Sequence, residues 1–176
     1  LALLLFRLGE RQIFGINVFK VQEVIPRPAL SWMPSSHPLV CGVAEIRRKI
    51  IPIIDLRRAI GGGADEGGAS HVIVSEYNRT VQGFLVHAVD RIIHVDVSKV
   101  EAPPRSSGDD GYLTAITRHG EELVEIIDVE KVLADVVGSS QQLSAELAAQ
   151  LVPHSGPRPK ALVVDDSRVA RNQIEQ

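Results

Sequence analysis

The chain has 176 residues, 44% of them hydrophobic but only 4% aromatic, so a core of real size is available and must be built from Val, Ile, Leu and Ala. A formal net charge of −3 and a pI of about 6.1 exclude bulk electrostatic attraction to nucleic acid or to a membrane surface. Cys41 is the single cysteine, which rules out an intrachain disulfide, fits a reducing compartment and is expected as a small buried hydrophobe.

At the N-terminus LALLLF is too short for a signal segment and is interrupted by Arg7 and Glu10, and no apolar run approaches the length of a membrane span. The one methionine is Met33, so we expect the chain to start downstream of its natural initiator. Residues 3–8 and 11–16 predict two strands joined at Gly9-Glu10. From Asn17 the spacing of Val18, Val21, Val24 and Ile25 shifts toward a helical turn. Pro26, Pro28 and Pro34 make 26–38 an irregular segment with Trp32 and Met33 as its apolar contacts. Residues 39–57, LVCGVAEIRRKIIPIIDLR, predict a strand, a turn at Arg47-Arg48-Lys49 and a second strand. Pro52 has no N–H for a ladder, so that second strand should be an edge or bulged there. Asp55 sits where the N-cap of a short helix belongs, with Leu56, Ala59 and Ile60 as its apolar positions.

The loop GGGADEGGAS (61–70) lacks the Lys-Ser/Thr of a phosphate cradle and carries Asp65 and Glu66. Beyond it the spacing predicts strands over 71–76, 81–86 and 91–97, with a turn at Asn78-Arg79, and a loop over 102–111. A hairpin of 113–118 and 123–127 turns at His119-Gly120, and Asp128 caps a helix to about Val137, ending before Gly138. Many short strands with brief helices favour small barrels over a parallel α/β sheet. Residues 139–151 have helical composition, PHSGPRPK is a linker, and ALVVDDSRVARNQIEQ changes to a buried strand, two acids and Ser167 as a helix N-cap.

Three blocks recur in the same order. IPIIDLRRAI (51–60) matches VEIIDVEKVL (124–133), GINVFKVQEVI (15–25) matches GFLVHAVDRII (83–93), and an apolar run precedes each, LLLF at 3–6 and HVIV at 71–74. Two similar sub-structures are therefore expected, with halves at about 3–60 and 71–133 and with Ile53 and Ile126 as equivalent inward positions. Catalytic patterns are missing from the sequence. Six histidines are scattered without metal-ligand spacing, and no nucleophile elbow is present. Five basic residues fall within 47–58, without the interleaved aromatics of a nucleic-acid platform. The planar fork of Arg47 at a hairpin tip suits a carboxylate or carbonyl cluster, and a solvated turn arginine is an equally good reading of the spacing.

The stretch G-V-A-E-I-R-R-K-I-I-P-I-I-D-L-R (42–57), with V-x-E-V-I at 21–25 and L-V-E-I-I-D-V at 123–129, resembles the signature of the CheW-like bacterial chemotaxis domain. The tail P-K-A-L-V-V-D-D-S (159–167) is similar to the opening of a response-regulator receiver, and a CheW-like domain followed by a receiver is the layout of CheV-type proteins. EYNRTVQGFLVHAVDRI (76–92) strengthens that likeness. The resemblance implies a mainly β fold of two pseudo-symmetric, mainly five-stranded barrels with short helices that share an apolar seam. It implies a CheW-like domain at 1–138, a helix-prone segment and linker at 139–158, and the first strand and helix start of a receiver at 159–176.

The implied function is non-enzymatic coupling in the cytoplasm, at membrane receptor arrays, between chemoreceptor tips and the regulatory domain of the histidine kinase CheA. Nucleic acid and direct membrane insertion are not expected. Arg47 occupies the family's signalling-arginine position, and Arg48, Glu45 and Val40 are the other expected partner-binding residues. The alternative is a phosphorelay regulator whose CheW-like part tethers a receiver. Asp165 and Asp166 carry over as magnesium-site acids, magnesium being expected only for an intact receiver and no other cofactor being implied. The family usually has glycine after the signalling arginine. Arg48 in its place leads us to expect a wider turn than a two-residue one.

Overall fold

The computed structural model describes residues 1–63, 68–77, 79–103 and 111–138. The chain divides into two compact units, Leu1–Val132 and Leu133–Gln176. Among the described residues ten strands form two five-stranded sheets. In chain order they are β1 (Ala2–Arg7), β2 (Ile13–Asn17), β3 (Glu23–Pro26), β4 (Val40–Ile46), β5 (Lys49–Asp55), β6 (His71–Tyr77), β7 (Thr80–Val86), β8 (Ala88–His94), β9 (Leu113–His119) and β10 (Glu122–Ile127). Helix α1 (Leu56–Ala59) follows β5 and α2 (Val129–Gly138) follows β10. Strand order is β8-β1-β2-β10-β9 in the first sheet and β3-β6-β7-β5-β4 in the second.

The repeat seen in sequence is present strand for strand, β1–β5 with α1 and then β6–β10 with α2. Neither half makes a sheet alone. Each sheet takes the first two strands of one half and the last three of the other. The halves meet at four pairings, the antiparallel β1/β8 and β3/β6 and the parallel β2/β10 and β5/β7, and the ladders within each half are all antiparallel. The two parallel joins have the same register. Gly15 stands opposite Ile126 in one and Gly83 opposite Ile53 in the other. Those are the recurring glycines and the recurring isoleucines of the sequence blocks.

Burial explains the apolar runs. One face of the first sheet packs Leu3, Leu5, Ile13, Ile93, Val124 and Ile126 into a cluster. The second sheet does the same with Ala44, Ile51, Ile53, Val72, Val74 and Leu85. The opposite faces are buried too, through Leu4, Phe6, Phe14 and Ile16 on one sheet and Ile54, Ile73, Phe84 and Val86 on the other. Two sheets in one compact unit, each apolar on both faces, cover one another, and so the strands read as near-continuous hydrophobic stretches instead of alternating ones. Phe6 and Phe14 stack across β1 and β2 with ring centroids 5.8 Å apart. Both expected helix caps form. The carboxylate of Asp55 accepts from the Arg58 N–H at 3.0 Å, and that of Asp128 from Glu130 at 3.0 Å and Lys131 at 3.1 Å.

Several expectations change. The segment after Asn17 is a single 3-10 turn, Val18–Lys20, capped by Asn17, and the chain then re-extends as β3. The partner of β3 is β6, about fifty residues away, so local spacing could not show the strand. The strand expected at 91–97 is β8, which starts earlier because Ala88 and Val89 already pair with Arg7 and Phe6. Pro52 lies on an interior strand, not an edge. Val43 opposite it turns its own N–H and C=O outward to Ser31, so the Pro52 nitrogen points away from β4, and the β7 ladder begins one residue later at Ile53. The missing donor therefore costs no ladder bond. Trp32, expected as a packing residue, is 80% exposed, and Cys41 is exposed as well, its thiol donating to the Ile53 carbonyl.

The turn at Arg48 is also corrected. Ile46 pairs directly with Lys49, leaving Arg47 (φ 50°) and Arg48 (φ 64°) as the two central residues of a tight hairpin. Positive φ at both positions gives the primed turn whose twist suits a hairpin, so strand twist prevails over the side-chain penalty. The matching turn between β9 and β10 uses Gly120 and Glu121, with Gly120 at φ 63°.

Two outcomes follow for urea unfolding. An alanine Cβ at residue 83 would lie 2.6 Å from both Ile53 Cδ1 and Val72 Cγ1, whereas at residue 15 the nearest atoms are at 3.2 and 3.4 Å. Gly83→Ala should therefore destabilise by about 1–3 kcal/mol and Gly15→Ala by clearly less, while Ile53→Ala and Ile126→Ala should each cost about 2–5 kcal/mol. Equal tolerance of both glycine changes would contradict the two joins as described. Arg48→Gly should raise the unfolding midpoint, because relief of roughly 1 kcal/mol of left-handed strain outweighs part of glycine's unfolded-state entropy. A lower midpoint would mean that Arg48 is unstrained.

Candidate partner-binding site

The β4–β5 hairpin carries the residues that sequence singled out. Arg47 leaves the turn and its Nη2 donates to Glu23 Oε2 at 2.9 Å. The arginine side chain is 77% exposed and that of Glu23 only 21%. Glu23 is on β3, at the other edge of the second sheet, so this ion pair ties the β4–β5 turn to the far edge strand across a curled sheet. The segment after β3 reaches the β4 edge from outside. Ser31 exchanges both backbone hydrogen bonds with Val43, at 2.8 and 2.9 Å. An ion pair with one exposed partner adds about 1 kcal/mol or less to stability, so its main effect is positional. It holds the guanidinium over a shallow cleft lined by Gln22, Ile46, Lys49 and Glu76, where Gln22 in turn donates to the Glu76 carboxylate.

The other expected residues separate. Arg48 is exposed at the turn tip, and Glu45 is exposed on β4 directly across from Ile50. Val40 is half-buried at the opposite end of β4, paired with Ile54 beyond a bulge, and the structure does not bring it to Arg47. Asp165 and Asp166, with the rest of 139–176, lie outside the described residues. Among the described residues no group of three or more His, Cys, Asp or Glu could hold a metal ion.

Three neighbours were missed from sequence. Glu23 is the carboxylate that Arg47 holds, and the V-x-E-V-I block contained it, but only the fold brings it to the hairpin. Ile50 is 76% exposed, although the run Ile50-Ile51 does force one of the two outward on a strand. Arg79 sits at φ 64° in the turn between β6 and β7, at the same end of the sheet. Its spacing in sequence gave no sign of that proximity.

Comparison with known proteins places this geometry. The model of the family described as "CheW-like domain" matches residues 2–137. Chemotaxis protein CheV3 of Helicobacter pylori is 33% identical over 169 residues, covering 93% of this chain and 53% of that protein. CheV2 of the same organism is 27% identical over 98% of this chain and 61% of its own length, so the chain spans little more than half of these relatives. Chemotaxis protein CheW of Klebsiella aerogenes is 28% identical over 134 residues, 74% of this chain and 80% of that one. Among solved structures, the scaffolding protein TtCheW from Thermoanaerobacter tengcongensis superposes with a TM-score of 0.64 at 27% identity, covering 73% of this chain and 84% of that one. With the match running from β1 to the end of α2, the chain belongs to the CheW-like domain family.

Proposed function

We propose that this chain is a non-enzymatic coupling scaffold of bacterial chemotaxis, joining the cytoplasmic tip of a chemoreceptor to the regulatory domain of the histidine kinase CheA. The family match over residues 2–137 supports this reading, and so do relatives named as chemotaxis proteins and a similar structure described as a scaffolding protein. The observation that carries it is Arg47. A guanidinium on a tight hairpin, oriented by Glu23 yet 77% exposed, is preorganised to receive a partner's acceptor without reordering a loop. Work in the cytoplasm suits this role, and among the described residues no helix is long and apolar enough to cross a membrane.

Two finer points belong to the same proposal. Each curled five-stranded sheet is read as a barrel, drawn together in the second sheet by the Ser31–Val43 bonds and the Arg47–Glu23 pair rather than by a ladder between β3 and β4. Residues 159–176 are read as the opening of a receiver, in which Asp165 and Asp166 would be acids of a magnesium site. No chemical step is assigned to them.

The test is a pull-down of the chain with purified CheA regulatory domain and with a receptor-tip fragment. The wild-type chain should retain both. Arg47→Ala should weaken retention of at least one by about tenfold, equivalent to about 1.4 kcal/mol, while shifting unfolding stability by no more than about 1 kcal/mol. Retention of neither partner by the wild-type chain would refute the coupling reading. Unchanged retention by Arg47→Ala would remove Arg47 from the site.

A further inference from the structure

Among the described residues, four other than glycine have positive φ, and three of the four are arginines, Arg47, Arg48 and Arg79. All three lie at one end of the second sheet. β5 and β7 are parallel neighbours in the register Ile53 opposite Gly83. Lys49, the first residue of β5, and Arg79, just before β7, are each four residues earlier, so the Arg47-Arg48 turn and Arg79 lie at the same end of the two neighbouring strands. Left-handed backbone is free to glycine and tolerated by asparagine, whereas an arginine there carries strain. Strain of this kind persists where surrounding structure imposes it, and it concentrates at functional surfaces.

The electrostatics of this end are uneven. Arg47 is matched by Glu23. Glu76 is held by Gln22, and Glu45 lies across the ladder from Ile50. Arg48, Lys49 and Arg79 project beyond these acids and are exposed. Ile50, 76% exposed, is on the other face of β5 from Lys49 and stands opposite Glu45. The equivalent end of the first sheet keeps one of these cations, Arg11 at the position of Arg79, but is acidic at the hairpin. The positions matching Arg48 and Lys49 are Glu121 and Glu122, and Glu122 is paired with Arg7. The pseudo-symmetry of the fold therefore stops at this lip, and the difference is one of charge.

We infer that Arg48, Lys49 and Arg79 form a cationic lip that docks an acidic segment of a protein partner. Charge complementarity selects the occupant. Three exposed cations at one sheet end suit a run of carboxylates, and the arginine forks match carboxylate geometry. The inference rests on the coupling reading only for the identity of the protein that carries the segment.

The test uses the full chain and a fluorescein-labelled oligoglutamate peptide, followed by anisotropy at low and high salt. Binding should be measurable, weaken as salt rises, and fall about tenfold or more in the double variant Arg48→Glu, Arg79→Glu. Arg58→Glu, on α1 at the opposite end of β5, should bind as the wild type does. Arg48→Gly should bind several-fold more weakly while its unfolding midpoint rises, a combination that a merely structural arginine would not produce and that misfolding cannot mimic. The inference is overturned if the wild-type chain does not bind the peptide. It is equally overturned if the double variant or Arg48→Gly binds normally, or if the double variant changes oligomeric state, which would make a second copy the occupant. Because the assay contains neither kinase nor receptor, its failure leaves the coupling reading standing, and failure of the pull-down leaves the lip standing.

Discussion

The fold depends on two parallel strand joins. At β2/β10 and β5/β7 a glycine faces an isoleucine across the ladder, Gly15 to Ile126 and Gly83 to Ile53. Each isoleucine fills its sheet's own core cluster, and each glycine leaves the room that the cluster needs. Because the first two strands of each half complete the sheet of the other half, these contacts also hold the two halves together. Parallel pairing requires a long connection, met for β5/β7 by α1 and β6 within the second sheet and for β2/β10 by the chain's passage into the second sheet after β2 and back after β7. A core of Val, Ile and Leu with few aromatics is adequate because both faces of both sheets are buried.

The same architecture supplies the site. A hairpin at the end of a doubly buried sheet has a rigid base, so its twist can impose positive φ on Arg47 and Arg48. Glu23 then fixes the direction of Arg47 from the opposite edge of the sheet. The guanidinium is thus positioned by backbone geometry and one ion pair.

Much of this was legible in sequence because it is local or repeated. The Ile-Ile-Asp blocks marked the equivalent core positions and both helix caps, and the apolar runs marked doubly buried strands. What was not legible is non-local. β3 looked helical because Val21, Val24 and Ile25 fit either period, and only β6 makes it a strand. The exchange of strands between halves leaves no trace in the repeat, since a swapped and an unswapped arrangement bury the same residues. At Arg48 the residue type alone points to a wider turn, but the twist of the flanking strands imposes the tight one. Trp32 was assigned to packing by its hydrophobicity alone, although the structure leaves it 80% exposed.

The most direct measurement of the central claim divides the chain in its Gly-containing loop, at a position where a break is best tolerated. Residues 1–63 and 68–138 would be produced separately and then mixed, with circular dichroism and urea unfolding as readouts. The account predicts that neither piece alone unfolds cooperatively, because each lacks the strands that complete its sheets, and that mixing restores a single cooperative transition. Cooperative folding of either piece by itself would contradict the interleaved sheets on which the core and the hairpin site both rest.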